Sequence, residues 1–263
     1  MKNQWFGLLL AGLCSLATAG EVTFKDPSGD DDGPGGYIYP TDAVYRPGSF
    51  DLTELTVKAK GKKVDFEVSV AQKLDDPWGM GTGFSVQMVF IFIDTKEGGH
   101  TQGVPGTNVT FAKDSAWDKV VILSPQSKSR VTSEAKEKAA DIIGDIVVPT
   151  RTNGKGKSIS GSVKLKDLGE GDPTTWGYQV VVQSNEGFPG KTDLLTRKVN
   201  EFEGQHRFGG GNDGDCDPHV ADILAGAGKG EDSEKQAQYD MLKYACDEEG
   251  NGKQAVLTMV RAK

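Results

Sequence analysis

Short apolar runs, punctuated at close intervals by glycine and proline, leave this 263-residue chain few folds to choose from. Val64, Phe66, Val68 and Val70 alternate with Asp65, Glu67 and Ser69, the period-two pattern of a strand with one wet face. Phe84 to Ile93 turns apolar on both faces after its first residues, which suits a central strand closed by Asp94. Further strands are predicted at 119–123, 142–148, 158–165, 177–183 and 256–260. Asn153-Gly154, Gly171-Asp172-Pro173 and Gly187-Phe188-Pro189-Gly190 supply turns between runs. Many short strands joined this way predict an all-β antiparallel sandwich rather than alternating β and α units. Helix is expected only in one or two short pieces. One is 133–140; the other is 234–245, opened by the capping box Ser233-x-x-Gln236, with Ala237, Met241, Leu242 and Ala245 on one stripe.

Charge and the N-terminus narrow the setting. With 38 Asp and Glu against 30 Lys and Arg the net charge is −8, which argues against nucleic acid or an anionic membrane surface as partner. A mean hydropathy of −0.44 excludes an integral membrane protein. Lys2, the apolar stretch from Trp5 to Leu16, and Ala17-Thr18-Ala19 have the form of a secretory signal peptide, residues 1–19, cut before Gly20. The apolar stretch, about 12 residues, is too short to span a bilayer, which takes about 20. Leu13 stands where a lipidation signal at Cys14 needs a small residue. Residues 20–263 are then expected as one secreted or periplasmic domain with no transmembrane segment. In an oxidising compartment Cys216 and Cys246, the pair left after the leader is removed, are expected to form one disulfide.

Spaced catalytic motifs are missing. His100, His206 and His219 fall in no HExxH arrangement, and the chain has no G-x-S-x-G elbow, P-loop or Rossmann fingerprint. A glycan hydrolase needs only two placed carboxylates, so it stays open as an alternative. Two acidic clusters stand out instead. Asp26, Asp30, Asp31 and Asp32 lie in a Gly/Pro-rich lead-in, and Asp213, Asp215 and Asp217 lie in a second glycine-loosened loop. They are either solvated loop acids or ligands of Ca²⁺, which collects six to eight oxygens from such loops. The second cluster opens like an EF-hand, but Pro218 and Leu224 replace the glycine and glutamate that loop requires. The third signal is aromatic. Tyr37 and Tyr39 sit in the lead-in, Trp78 follows Asp75-Asp76-Pro77, and Trp117 and Trp176 begin strands. Exposed rings of this kind can stack on the C–H face of a sugar; buried ones would cap a core.

A family resemblance joins these pieces. Gly29-Asp-Asp-Asp-Gly-Pro-Gly-Gly-Tyr-Ile-Tyr-Pro40, Arg46-Pro-Gly-Ser-Phe-Asp-Leu52, Asp76-Pro-Trp-Gly79, Gly83-Phe-Ser85 and Ile93-Asp94 come first. Pro105-Gly-Thr-Asn108, Trp117-Asp118, Phe208-Gly-Gly-Gly211 and Asp217-Pro-His-Val-Ala-Asp-Ile-Leu224 follow in order. The series resembles the C-terminal module of glucodextranase, found also on pullulanases and similar to the broader DOMON-like β-sandwiches. The resemblance implies a carbohydrate-binding-type sandwich without catalysis, attached to α-glucan-cleaving enzymes in its relatives and expected here without a catalytic domain. A polysaccharide or envelope glycan is the implied partner. Some DOMON-like domains hold haem through Met and His; Met80, Met88 and His100 would be the axial candidates for that electron-transfer alternative.

Overall fold

The computed structural model describes residues 20–213, 216–226, 233–248 and 252–262; the leader assigned to residues 1–19 lies outside them. In chain order the strands begin with β1 (Gly20–Lys25), β2 (Leu52–Lys60), β3 (Lys63–Val70), β4 (Gln87–Asp94), β5 (Val109–Phe111) and β6 (Lys119–Leu123). They continue with β7 (Ile146–Val147), β8 (Thr152–Lys155), β9 (Ser158–Lys164), β10 (Gly177–Ser184) and β11 (Asp222–Ile223). The last four are β12 (Ala245–Cys246), β13 (Gly252–Lys253), β14 (Ala255–Leu257) and β15 (Val260–Arg261). Two short helices interrupt them, α1 (Lys128–Lys138) and α2 (Ser233–Met241). One sheet runs β1-β2-β3-β9-β8; the other runs β11-β10-β4-β6-β7, with β15 also on β10. Pairing is antiparallel except where β7 joins β6 and β14 joins β5. Two sheets face to face without barrel closure make the expected β-sandwich.

The two sheets solve different burial problems. β3 alternates, sending Val64, Phe66, Val68 and Val70 inward against Val89, Ile91, Val180 and Val182 of the facing sheet. Its other side chains meet water. β4 and β10 are buried at every residue because the second sheet has no wet face. Behind it Met88, Phe90, Phe92, Ile122 and Val181 pack under α1 (Val131, Ala135), Leu194, Leu195, Ala255 and Leu257, a second core. This double burial is why Phe84–Ile93 reads as continuously apolar. At Gly161 of β9 the sheets approach so closely that a Cβ would lie 2.7 Å from the Leu123 side chain.

Local readings moved where side-chain chemistry outweighed pattern. Asn153-Gly154 lies inside β8, and the hairpin turns later, at Gly156-Lys157, with Lys155 opposite Ser158 and Gly156 at φ +65°. The strand expected over 142–148 shrinks to β7, because Ile143–Asp145 turns in a 3₁₀ coil that delivers the Asp145 carboxylate to Lys119 (2.6 Å) and His100 (2.8 Å). α1 starts five residues before Ser133, capped by the Ser127 hydroxyl accepting from the Arg130 amide at 3.2 Å. α2 stops at Met241, leaving Ala245 not on a helical stripe but exposed in β12. The run 256–260 divides between β14 and β15, which join different partners. β1 and β2 were not singled out in the sequence.

Cys216 and Cys246 form the expected disulfide, 30 residues apart with Cα atoms 5.4 Å from one another. It fastens β12 to the segment leading into β11. Among the described residues no helix is long and apolar enough to cross a membrane.

Two measurements check this account. Phe66→Ala should cost about 3–5 kcal/mol in urea unfolding, as a buried ring leaves a cavity between the sheets, whereas Glu67→Ala on the wet side should stay within about 0.5 kcal/mol. Reducing the disulfide should cost about 3–4 kcal/mol, the loop-closure value for this span, read as a lower Tm in dithiothreitol than under oxidising conditions.

Candidate functional site

The loop ends of the sandwich assemble a row of aromatic rings. Tyr39 meets Phe208 at 5.0 Å between centroids, Phe208 meets Phe50 at 5.2 Å, and Phe50 meets Tyr45 at 6.2 Å. Tyr45 then meets Trp78 at 6.2 Å, and His206 closes against both at 5.8 and 6.3 Å. Tyr39 and Trp78 are each half-buried at opposite ends of this row, so two of the five expected stacking residues share one structure. The other three do not belong to a surface. Trp117 is fully buried beside Phe92 in the second core and Trp176 lies in the first. Tyr37 is buried with its hydroxyl donating to the Pro218 carbonyl at 2.7 Å. A ring packed on both faces offers no plane to a sugar, which corrects the expectation for Trp117, Trp176 and Tyr37; they cap core instead.

What lies at the Trp78 end is an ion cluster. The chain leaving β10 places Glu186 almost entirely inside, where one carboxylate oxygen meets Arg197 (3.2 Å) and Arg207 (3.3 Å). Its other oxygen accepts the Phe188 amide at 3.0 Å. Arg197 donates to the Asn185 carbonyl and lies 5.7 Å from the centre of the Trp78 ring, a cation–π contact. Trp78 is presented by a turn that Asp76 ties together through the Met80 and Gly81 amides (2.8 Å each) and the Ser85 hydroxyl. Burial alone would push the Asp76 carboxyl up, but these donors outweigh it and hold the group below the usual carboxylate range.

Two further rings, not singled out in the sequence, project from this cluster's own loops. Phe188 is 94% exposed and Phe202 is 72% exposed. The signal for Phe188 was an aromatic centred in Gly187-Phe-Pro-Gly190, a turn that cannot bury it. Glu186 links both loops, since Arg207 lies with Phe202 in the loop that the Asn200 amide closes by donating to the Phe208 carbonyl at 2.9 Å. Large apolar rings held out in water beside arginine, glutamine and amide groups are suited to recognition rather than packing.

Other concave surfaces are charged. Clefts of about 780 and 710 Å³ flank residues 95–98. Three of their acids are engaged: Asp94 with Arg261, Asp118 with the Thr95 and Lys96 amides, Asp145 with Lys119 and His100. A groove of about 360 Å³ on the wet face of the first sheet is lined by Lys58, Lys60, Asp65, Glu67 and Arg151 among others. The axial candidates for haem lie in separate settings. Met88 is inside the second core, the His100 ring sits 4.5 Å from Trp117, and Met80 belongs to the Asp76 turn.

The acidic lead-in is folded rather than loose. The Asp32 carbonyl accepts from the amides of Gly35, Gly36 and Tyr37, and Gly33, at φ +63°, lies so close to the Tyr37 ring that a Cβ would meet it at 2.4 Å. Asp31 turns to the Tyr39 hydroxyl and Asp32 to that of Tyr239. Asp26 and Asp30 instead meet Asp222, with one carboxylate oxygen from each within 4.8 Å of the others. The second acidic cluster takes another course: Asp213 is exposed and Asp217 is buried 3.9 Å from His219, while Asp215 lies outside the described residues. Asp51 and Asp222 were visible in the motif-bearing segments but not read as partners of the lead-in. Burial, then the charge of Asp51, pushes Asp30 up to about 7. Burial pushes Asp51 up to about 6, and burial with the charges of Asp26 and Asp30 drives Asp222 well above the ordinary carboxylate range.

Residues 22–260 match the family described as the C-terminal, SLH-like binding module of glucodextranase, and the chain belongs to that family. No curated protein matches the chain.

Glu186→Ala would strand the largely buried Arg197 charge, Arg207 being more open to water. It should cost about 3 kcal/mol and lower the urea midpoint without changing the slope.

Proposed function

We propose that the chain is a secreted or periplasmic, non-catalytic module that binds a glycan, an α-glucan or an envelope polysaccharide, through the end of the sandwich carrying Trp78, Phe188 and Phe202. The single observation that carries this reading is the exposure of Phe188 and Phe202 on loops anchored by one buried ion cluster. Each ring keeps a free face for the C–H side of a pyranose, while Arg207 and Gln205 stand in the same loop as hydrogen-bonding groups for hydroxyls. Because Glu186 fixes both loops before any ligand arrives, little ordering entropy opposes binding. Family membership supports carbohydrate as the ligand class, and the disulfide is compatible with an extracellular or envelope location.

Titration calorimetry with α-glucans, peptidoglycan and lipopolysaccharide fragments tests the reading. The double variant Phe188→Ala/Phe202→Ala should weaken the best ligand about 10-fold, two stacking contacts' worth, while Arg151→Ala in the groove of the first sheet leaves it unchanged. Heat from none of these glycans would remove the reading. Loss of binding in the Arg151 variant alone would move the site to the groove, and release of reducing ends from the same glycans would convert the module into a hydrolase.

A further inference from the structure

The four buried carboxylates of Asp26, Asp30, Asp51 and Asp222 pose a problem that hydrogen bonding does not solve. All four residues are at most 8% exposed. Three are held by backbone donors: Asp26 by the Ala225 amide (3.1 Å), Asp51 by the Gly29 amide (2.8 Å), and Asp222 by the amides of Leu52 (2.6 Å) and Ile223 (2.8 Å). Asp30 differs. It is fully buried, and neither of its carboxylate oxygens has a hydrogen-bond partner. A second orphan, Asp51 Oδ1, is buried nearby. Lys235, the cation that acts on both Asp30 and Asp51, spends its ammonium group on the Gly29 carbonyl, half-buried at the margin. Lys157 acts on Asp51 as well, yet two charges do not balance four carboxylates, and a carboxylate left without donors in a dry site is among the costliest groups a protein can carry.

We propose that Asp26, Asp30 and Asp222 form a Ca²⁺ site, with Asp30 as the ligand whose side chain has no other role and Asp51 adding negative charge beside it. The donor set is all hard oxygen, with no imidazole or thiolate among the grouped residues, which selects against zinc and copper. The ligand set suits calcium rather than magnesium, which keeps several of its waters and is usually held by only one or two carboxylates, whereas three converge here in a buried place. The ligands come from two separate parts of the chain, the lead-in and β11, and the neighbouring Asp51 from the entry to β2. α2 touches the same place, its Gln238 amide donating to the Asp30 carbonyl and, at 3.3 Å, to the Gly33 carbonyl. A cation here joins the lead-in, which follows β1 of the first sheet, to β11 of the second and fixes the lead-in that presents Tyr39 to Phe208. This inference is independent of the glycan reading, since a calcium clamp serves any ligand or none.

The experiment uses the oxidised full-length secreted chain, stripped with EDTA and passed through a chelating resin. Titration with CaCl₂ should show one site, and Ca²⁺ at 100-fold excess over its Kd should raise Tm by about 5–10 °C, with a markedly smaller shift from Mg²⁺. Asp30→Asn should remove the calcium response while leaving the stripped protein as stable as the stripped wild type or more so, because it deletes the uncompensated charge. That outcome separates a ligand from a merely structural aspartate, whose loss would lower stability with or without metal. Asp213→Asn should keep the full response. Absence of calcium binding by equilibrium dialysis of the wild type would overturn the proposal whatever the variants do, and so would an undiminished calcium shift in Asp30→Asn.

Discussion

The pairing of β4 with β10 sets the terms for the rest of the molecule. Eight residues on each strand face one another in unbroken antiparallel register, from Gln87 opposite Ser184 to Asp94 opposite Gly177. Every one of them is buried. A sheet with one wet face can be finished by alternation alone, but this one must be roofed. The roof is built largely from irregular chain, residues 104–117, Leu194, Leu195 and Val220, with Ile223 of β11, the C-terminal β14 and the short helix α1. The segment leaving β10 at Asn185 must therefore turn back over the sheet. That return passes through Glu186 and Phe188 and puts the exposed loops at this end of the sandwich.

Irregular chain over an apolar face needs somewhere to place its backbone hydrogen bonds. β10 provides it through its own side chains. Gln179 accepts from the Leu224 amide at 3.0 Å and donates to the Thr258 carbonyl at 2.8 Å; Gln183 donates to the His219 carbonyl. Asn185, one residue past the strand, donates to the Ser85 carbonyl at 3.1 Å. In a strand read from sequence as Gly-Tyr-Gln-Val-Val-Val-Gln, the glutamines look like the polar half of an alternation. They are instead fully buried anchors for the covering segments.

The fold was readable because alternation at Val64–Val70 and the continuous run at Phe84–Ile93 each have one physical explanation, and the two together require two unlike sheets. Features set by long-range pairing were not readable. Nothing local distinguishes Asn153-Gly154 as strand from the same dipeptide as turn; the closeness of Gly83, whose Cβ would sit 2.3 Å from the Gly154 carbonyl oxygen, decides it. Tryptophan content was also a poor guide to the surface. Trp117 and Trp176 went inside, as large rings do when a core is at hand, while the exposed planes fell to Phe188 and Phe202 in turns. The acids followed the same logic. Density along the chain pointed to Asp30–Asp32, yet Asp31 and Asp32 are taken by tyrosines and the true neighbours, Asp51 and Asp222, lie singly in sequence.

The wet face of the first sheet has a consequence of its own. Lys25 pairs across strands with Glu54, Lys58 with Glu21 at 3.4 Å, and Lys60 with Asp65 at 2.8 Å. Each pair adds little to folding. The first two put charges on β1, the terminal strand of this sheet among the described residues, which a second copy would have to strip of water before adding its own strand there.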